Sequence, residues 1–355
     1  MKRRNTLGGL YFLIHFMIEI TSFYVLTCCT GSPFVWVLML LYDFTAFVPQ
    51  GVFGYLRDRG IYVNFALWGS LLAAASVLCL MLGANVFLTV TVLSVGNCMV
   101  HAHGAEVTLR GSDGHMSPSA LFVSGGSFGV VTGKLLSLHG VAAPWVLGMT
   151  LLAPVPILIA ERLKEPDGAE NLRQYHFDNP KIATGLLVVL AVFVVAVRAY
   201  MGYGIPTAWN KTELQTVALY VCMGIGKAMG GVLIDRIGIR KTAFISTVGA
   251  LPLLLFGDEL MAVSLVGIAF FSMTMAVTLA VLTSRLQTLP GVAFGFTTLG
   301  LFLGTAPMFF FRIHSVVAKC IMIAALTVLC VLVLGVICAK QTNRTQVQNR
   351  QEEEI

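Results

Sequence analysis

Twelve apolar runs separated by short polar turns dominate this chain. An α-helix needs about 20 apolar residues to cross the hydrocarbon core of a bilayer, whereas a membrane β-strand shows about 10 residues of alternating polarity. The runs are continuous, so they predict an all-α integral membrane protein. They fall near 9–29, 34–56, 61–82, 85–103, 118–139, 141–160, 181–204, 213–234, 242–256, 259–282, 292–312 and 318–339. The short ninth run and the polar residues of the fourth leave ten or eleven spans as an alternative.

The composition favours the same class. Hydrophobic residues make up 57% of the chain and charged residues 11%, whereas charged residues are about a quarter of a soluble domain. The net charge of +6 would be compatible with nucleic-acid binding in a soluble protein, but here the cations follow one side of the predicted membrane. We therefore expect a lipid bilayer and no nucleic-acid partner. The eight cysteines are scattered without a Cys-x-x-Cys pair, which indicates packing residues.

Lysine and arginine are distributed unevenly between alternate loops. If the N-terminus lies inside, 17 of the 23 fall on the inner side, and only Lys211, Arg312 and Lys319 lie outside or at the outer interface. Cytoplasmic loops carry such an excess of positive charge. The distribution predicts a multi-pass protein of the cell (inner or plasma) membrane with both termini in the cytoplasm. The predicted parts are a bundle at 1–160, a cytoplasmic linker at 161–180, a second bundle at 181–340 and a polar cytoplasmic tail at 341–355.

Residues that recur at a nearly constant spacing indicate that the two bundles are related by duplication. Arg110 recurs as Arg285, 175 positions later, and the residues Gly-Ser-Phe at 126–128 recur as Gly-Leu-Phe at 300–302. Echoes at a nearly constant offset are the signature of an internal structural repeat.

A charged segment also occurs twice. Residues 230–241 read Gly-Gly-Val-Leu-Ile-Asp-Arg-Ile-Gly-Ile-Arg-Lys, and residues 54–60 read Gly-Tyr-Leu-Arg-Asp-Arg-Gly. Their aspartates, Asp58 and Asp235, are 177 positions apart in a chain of 355 residues. This spacing resembles the loop between the second and third helices of each half of a major facilitator transporter, Gly-x-Leu-x-Asp-Arg-x-Gly-Arg-Lys. The resemblance implies twelve transmembrane helices in two six-helix bundles that transport a solute by alternating access.

Within that superfamily the chain is most similar to the fosmidomycin-resistance exporters. The similar places are His15-Phe-Met-Ile-Glu19, Gln50-Gly-Val-Phe-Gly-Tyr-Leu-Arg-Asp-Arg59, Ser119-Ala-Leu-Phe-Val-Ser-Gly-Gly-Ser-Phe-Gly129 and Val197-Arg198-Ala-Tyr. The resemblance implies a secondary transporter that exports a small organic anion or amphiphile by proton antiport, and we expect it to be a monomer. Uptake by proton symport stays an alternative, as does a sensor or assembly protein that has lost transport.

The chain departs from that group in the fifth helix, the first motif and the fourth span. Lys134 follows a Gly-x-x-x-Gly pair at a position where such exporters usually have proline. The loop after Asp58 lacks the Gly-Arg-Lys ending. His101, His103 and Glu106 only loosely match the His-Pro-Glu of the group. These departures favour a divergent member with another substrate.

Charged side chains within the spans are the candidate site residues, because each costs about 2.5 to 3.5 kcal/mol to insert and usually faces a cavity or a partner. His15 and Glu19 share one helix face, and Glu19 and Asp43 lie about 15 and 14 Å into their spans. Lys134 and Arg198 lie about 24 to 26 Å from the cytoplasmic ends, where they would attract an anion or extend to the headgroups. The predicted substrate and proton cavity comprises His15, Glu19, Asp43, Lys134 and Arg198.

Glycines and charges of the repeated motif are predicted to control conformation rather than to bind a ligand. Glycines let helices approach closely, and the aspartates pair with basic residues or cap a neighbouring helix. The predicted gate comprises Gly54, Asp58, Arg59, Lys227, Gly231, Asp235, Arg236, Gly238, Arg240 and Lys241. The sequence contains no phosphate-binding loop, nucleophile elbow or metal cluster, so we expect no enzymatic activity, no cofactor and no metal.

Overall fold

A computed structural model of the chain describes residues 2–61, 63–163, 175, 177, 182–311 and 313–338. Over this part the regular secondary structure is helical throughout, and the helices follow the twelve apolar runs. They are α1 (Lys2–Cys28), α2 (Val35–Phe47 and Gln50–Asp58), α3 (Phe65–Met81), α4 (Val86–Arg110), α5 (Ser117–Leu138), α6 (Ala143–Leu152 and Pro154–Leu163), α7 (Thr184–Gly204), α8 (Glu213–Ile237), α9 (Ile239–Phe244 and Ala250–Leu255), α10 (Met261–Ser272 and Thr274–Arg285), α11 (Pro290–Thr305, extended to Phe309 by a 3₁₀ turn) and α12 (Val316–Ile337).

Ten of these helices are long and apolar enough to cross a membrane. The other two are α3, which has 17 residues, and α9, whose two short segments are joined by the π-helical turn Ile245–Gly249. The predicted all-α fold with twelve helices is therefore confirmed in the described part of the chain. The short ninth run corresponds to the helix that a π-helical turn interrupts.

Local sequence signals set the ends of several helices. The Thr212 side chain accepts a hydrogen bond from the backbone of Gln215, and the Gln215 side chain accepts one in return, which forms a capping box at the start of α8. The short turns after α3 and α5 contain Gly83 and Gly140, with φ of 66° and 67°. Glycine adopts this left-handed conformation without steric cost, so both helices end sharply and their successors run back antiparallel.

Small residues bring the first and fifth helices of each bundle together. On α5, Gly125, Gly129 and Gly133 lie against the backbone of α1, where a Cβ atom would overlap backbone carbonyls. On α11, Gly300 and Gly304 lie in the same way against α7. The Gly-Ser-Phe echo in the sequence thus marks equivalent helix contacts in the two bundles.

The division of the chain into four parts stays a prediction. Most of the predicted linker at 161–180 and all of the tail at 341–355 lie outside the described residues. α6 continues to Leu163, beyond the predicted end of the first bundle.

We call the end of the molecule that contains Asp58 and Asp235 the motif end.

Candidate functional site

Three buried titratable side chains meet between α1 and α4. His15 and Glu19 lie one turn apart on α1, and His101 comes from α4. The Nε2 atoms of the two histidines are 2.7 Å apart. Oε1 of Glu19 lies 3.7 Å from Nε2 of His15 and 3.4 Å from Nε2 of His101. The structure therefore joins the predicted pair to a second histidine, and we call these three residues the His-Glu cluster.

Hydrogen bonds from α4 and α5 fix the orientation of the His-Glu cluster. Nδ1 of His15 donates to the carbonyl of Phe122 at 2.8 Å. Nδ1 of His101 donates to the carbonyl of Asn97 at 2.9 Å. The side-chain amide of Asn97 donates to Oε1 of Glu19 at 2.8 Å. Each of the three groups thus has a partner that holds it toward the other two.

Sequence reasoning missed His101 as a member of this site and missed Asn97 altogether. The two lie four residues apart on α4 and so share a helix face, and that spacing of polar residues inside an apolar run is the signal that could have identified them. Asn97 also donates to Ser22 at 3.0 Å. His103 is not part of the His-Glu cluster, because its Nε2 pairs with Glu161 of α6 at 2.8 Å.

Charges from both bundles surround the His-Glu cluster. Lys227 of α8 interacts electrostatically with Glu19 and His101. Asp43 of α2 lies within electrostatic range of Glu19 and close to Thr305 of α11. The structure therefore places Asp43 near the pair with which it was predicted to act. It also places Lys227, which was predicted for the gate, close to the same cluster.

Lys134 lies between the bundles. Its Nζ donates to the hydroxyl of Tyr220 on α8 at 2.9 Å. The ammonium also lies 5.4 Å from the ring centre of Phe23 on α1 and 5.2 Å from that of Tyr220, within the range of cation–π attraction. Lys134 thus joins α5 to α8.

Arg198 is buried inside the second bundle. Its Nη2 donates to the carbonyls of Ser246 on α9 and Phe271 on α10, both at 2.8 Å. The guanidinium carbon lies 3.5 Å from the ring centre of Phe271. Nε and Nη1 have no hydrogen-bond partner among the described residues. These contacts place Arg198 among helices of its own half, away from the His-Glu cluster in the first.

The two motif aspartates make equivalent contacts across the bundles. Asp58, at the end of α2, accepts hydrogen bonds from the backbone N–H groups of Gly291 and Val292 at the start of α11, at 3.1 and 2.9 Å. Asp235, at the end of α8, accepts from two backbone N–H groups at the start of α5, at 2.8 and 3.0 Å. A helix N-terminus favours a carboxylate because its first N–H groups are unpaired and its dipole is positive there.

The cap at Asp58 is connected to a buried charge network that the cap at Asp235 lacks. Nη2 of Arg110 lies 3.1 Å from Asp58, and Nε of Arg110 donates to Glu106 at 2.6 Å. Glu106 also accepts from Arg57 at 3.1 Å. Among the described residues Asp235 forms no ion pair, and its partners are backbone N–H groups. The two halves therefore share the cap but differ in the charges behind it.

Glycines allow the capped helices to touch. A Cβ atom at Gly54 would overlap the backbone of Gly291 on α11, and one at Gly231 would overlap Ala120 and the backbone oxygen of Met116. Each bundle thus places a predicted gate glycine against the other bundle at the motif end. A larger side chain at either position is incompatible with this closed contact.

The remaining predicted gate residues lie at the surface or in the turn after α8. Gly238 has φ of 87°, which places the turn between α8 and α9 in a region that favours glycine. Arg240 donates to the carbonyl of Cys338 just after α12, at 3.1 Å. The exposed basic side chains of the predicted gate are Arg59, Arg236, Arg240 and Lys241.

A cavity of about 250 Å³ lies at the end opposite the motif end, between α7, α11 and α12. Its wall includes His314, Lys319 and Tyr203. The cavity therefore carries the positive charge of Lys319. Its lining consists of Tyr200, Tyr203, Gly204, Met308, Ile313, His314, Lys319 and Met322.

The His-Glu cluster is also the place in the described chain where a metal ion could bind. One ligand atom from each of His15, Glu19 and His101 lies within 4.8 Å of the others. Two imidazole nitrogens on a tetrahedral zinc ion, with bonds of about 2.0 to 2.1 Å, lie roughly 3.3 Å apart. The observed separation of 2.7 Å is shorter, so the rings would have to part to admit a metal.

This chain is similar to solved structures over nearly its whole length. A structure of the E. coli fucose:proton symporter FucP matches with a TM-score of 0.66 and 15% identity, covering 94% of this chain and 98% of the other. The chain has the major facilitator fold. FucP in the outward conformation, a major facilitator superfamily transporter, matches with a TM-score of 0.61 and 17% identity, with the same coverage.

The likeness to FucP extends to the fold and not to a narrower group. No protein-family model matches the sequence, and no curated protein matches it. The major facilitator architecture predicted from the two motifs is confirmed. The narrower resemblance to fosmidomycin-resistance exporters stays a prediction, because neither similar structure belongs to that group by its description.

Proposed function

We propose that this protein is a secondary transporter that moves a small organic solute in exchange or together with protons. The observation that carries the proposal is the buried His-Glu cluster inside a fold of two bundles. Ionisable groups within the membrane are costly and usually serve ion or substrate pathways. The reciprocal caps of Asp58 and Asp235 supply the second requirement, a contact between the bundles that can break and reform during alternating access.

The charges along the bundle interface favour an anionic solute. Lys134 and Lys227 lie between the halves, and Lys319 lines the cavity at the opposite end. A carboxylate or phosphonate would be attracted by these cations. Arg198, proposed from the sequence as an anion ligand, is held to α9 and α10 through Nη2, so its Nε and Nη1 would be the donors to an anion.

Export by proton antiport is the first direction we propose, on the resemblance to fosmidomycin-resistance exporters. Uptake by proton symport is the second candidate, favoured by Lys134 in place of the usual proline and by the fold of the FucP symporter. Antiport and symport change the pH inside a vesicle in opposite directions. Solute entry by antiport removes protons from the lumen, whereas entry by symport adds them.

A binding screen followed by a flux assay tests the proposed function. Phosphonates, carboxylates, sugars and cationic drugs are compared by thermal shift on purified protein, because a ligand of the native state raises the apparent unfolding temperature. We expect an anion to give the largest shift. The selected solute is then added to proteoliposomes that contain a lumenal pH dye. Binding without any flux would contradict transport and support a sensor.

We propose further that the protein spans the plasma membrane with both termini in the cytoplasm. A reporter after Ile355 and a tag near Asn171 are then expected to report the cytoplasm. Cys28, which is exposed at the end of α1 opposite the motif end, should react with an impermeant thiol reagent from outside intact cells. Reaction of Cys28 only after the membrane is permeabilised would reverse the orientation.

A further inference from the structure

The hydrogen bonds of the two buried histidines determine where their ring protons lie. Nδ1 of His15 faces the carbonyl of Phe122, and Nδ1 of His101 faces the carbonyl of Asn97. A carbonyl oxygen can only accept, so each Nδ1 must carry a proton. In a neutral imidazole with a protonated Nδ1, Nε2 has a lone pair and no hydrogen. Two neutral rings would therefore present lone pairs to each other.

The distance between the rings is incompatible with two facing lone pairs. Nε2 of His15 and Nε2 of His101 are 2.7 Å apart, a hydrogen-bond distance. One additional proton between these nitrogens turns the contact into a charge-assisted hydrogen bond. The pair then consists of one imidazole and one imidazolium, with a total charge of one.

The neighbouring charges suit a single proton on this pair. The Glu19 carboxylate lies 3.7 and 3.4 Å from the two Nε2 atoms and balances one positive charge. Lys227 of α8 interacts with both Glu19 and His101 and opposes a second positive charge on the rings. Asp43 of α2 also lies within electrostatic range of Glu19. With one shared proton, the charge of +1 on the two rings and the charge of −1 on Glu19 cancel, so the cluster is neutral.

We propose that His15 and His101 bind one proton in common between their Nε2 atoms, with Glu19 as its counter-ion. That this shared proton is the coupling ion, one per cycle, rests on the proposed function. His101 is then as necessary for proton binding as His15, although the predicted cavity included only His15. Asn97 orients both His101 and Glu19: its backbone carbonyl accepts from His101, and its side-chain amide donates to Glu19.

The test uses NMR of the detergent-solubilised protein with ¹⁵N-labelled histidine, which does not depend on transport. We expect one strongly downfield proton resonance that is coupled to the Nε2 nitrogens of two histidines. It should vanish in both His15→Gln and His101→Gln, because glutamine can keep a hydrogen bond but cannot share this proton. It should persist in His139→Gln, which removes an exposed histidine paired with Glu213 at 3.0 Å.

Several results would overturn the shared proton. The two Nε2 nitrogens could titrate independently, or the resonance could survive in His101→Gln. A change of the histidine signals on adding a chelator would identify a bound metal instead. If a glutamine variant does not fold, the pH titration of the unmodified protein decides, since a shared proton requires both nitrogens to change at one common midpoint.

Flux measurements test whether the shared proton is the coupling ion, independently of whether the shared proton exists. With the NMR signature present, His101→Gln should lose pH-driven flux as completely as His15→Gln. Normal pH-driven flux in His101→Gln would remove the shared proton from coupling and leave the transporter proposal intact. An absence of all solute flux in the unmodified protein would instead contradict the proposed function and leave the NMR result standing.

Discussion

Glu19→Gln is expected to abolish pH-driven solute flux while solute exchange continues. Glutamine has the size of glutamate and can still accept the hydrogen bond from Asn97, but it has no charge to balance a proton on His15 and His101. Without the counter-ion the buried rings would have to carry an unpaired positive charge, which is costly in the membrane interior. Exchange of unlabelled for labelled solute needs no net proton movement and should survive.

The measurement compares a lumenal pH dye with radiolabelled exchange in the same proteoliposomes. The matched control is Glu213→Gln, which removes an exposed glutamate that also contacts a histidine, His139, at 3.0 Å. This control should behave as the unmodified protein. Normal acidification or alkalinisation in Glu19→Gln would make Glu19 a packing residue, and Asp43→Asn would then be the next variant to test.

The fold was predictable because each membrane helix requires a continuous apolar run of about 20 residues, which is visible in the sequence. The repeated motif added the duplicated arrangement, since Asp58 and Asp235 recur at half the chain length. Even the irregular α9 was visible as a short ninth run. What the runs could not show was the π-helical turn that interrupts it, because a π turn depends on how α9 packs and not on its hydrophobicity.

The site was predictable only along single helices. The i, i+4 rule joined His15 to Glu19 within α1, but no rule for one helix could reveal that α4 brings His101 to the same point. Depth along a span was likewise insufficient for Arg198. The depth of Arg198 in the membrane could be counted from the cytoplasmic end of its span. Its contacts with Ser246 and Phe271 depend on how the helices of the second bundle pack.

The caps at the motif end explain how two bundles can be joined firmly and still separate. Each cap consists of a carboxylate and two backbone N–H groups at a helix start, so it can open without unfolding either helix. The adjacent glycine contacts are short range and are lost as soon as the bundles move apart. The closed motif end is therefore stabilised by a few interactions that break together.

Asp58→Asn is expected to open the motif end more than Asp235→Asn does. Arg236, Arg240 and Lys241 follow Asp235 in the sequence, and these basic neighbours alone would favour a larger effect there. The structure gives the reason to reverse that order: Arg110, in the same bundle, holds the Asp58 carboxylate toward its two backbone partners on α11, whereas Asp235 has no such ion pair among the described residues. Loss of a charged acceptor costs about 2 kcal/mol, equivalent to a shift of about 30-fold in the closed population.

The shift can be measured as the distance between spin labels at Ile61 and Thr288, which are exposed near the ends of α2 and α11, in a cysteine-free background. Gly54→Val should open the same contact with Asp58 intact, because its side chain would overlap Gly291. Gly148→Val is the matched control, since nothing lies within 4 Å of a Cβ atom there. A loss of solute affinity in Asp58→Asn with unchanged label distances would show that Asp58 acts on the solute site and not on closure.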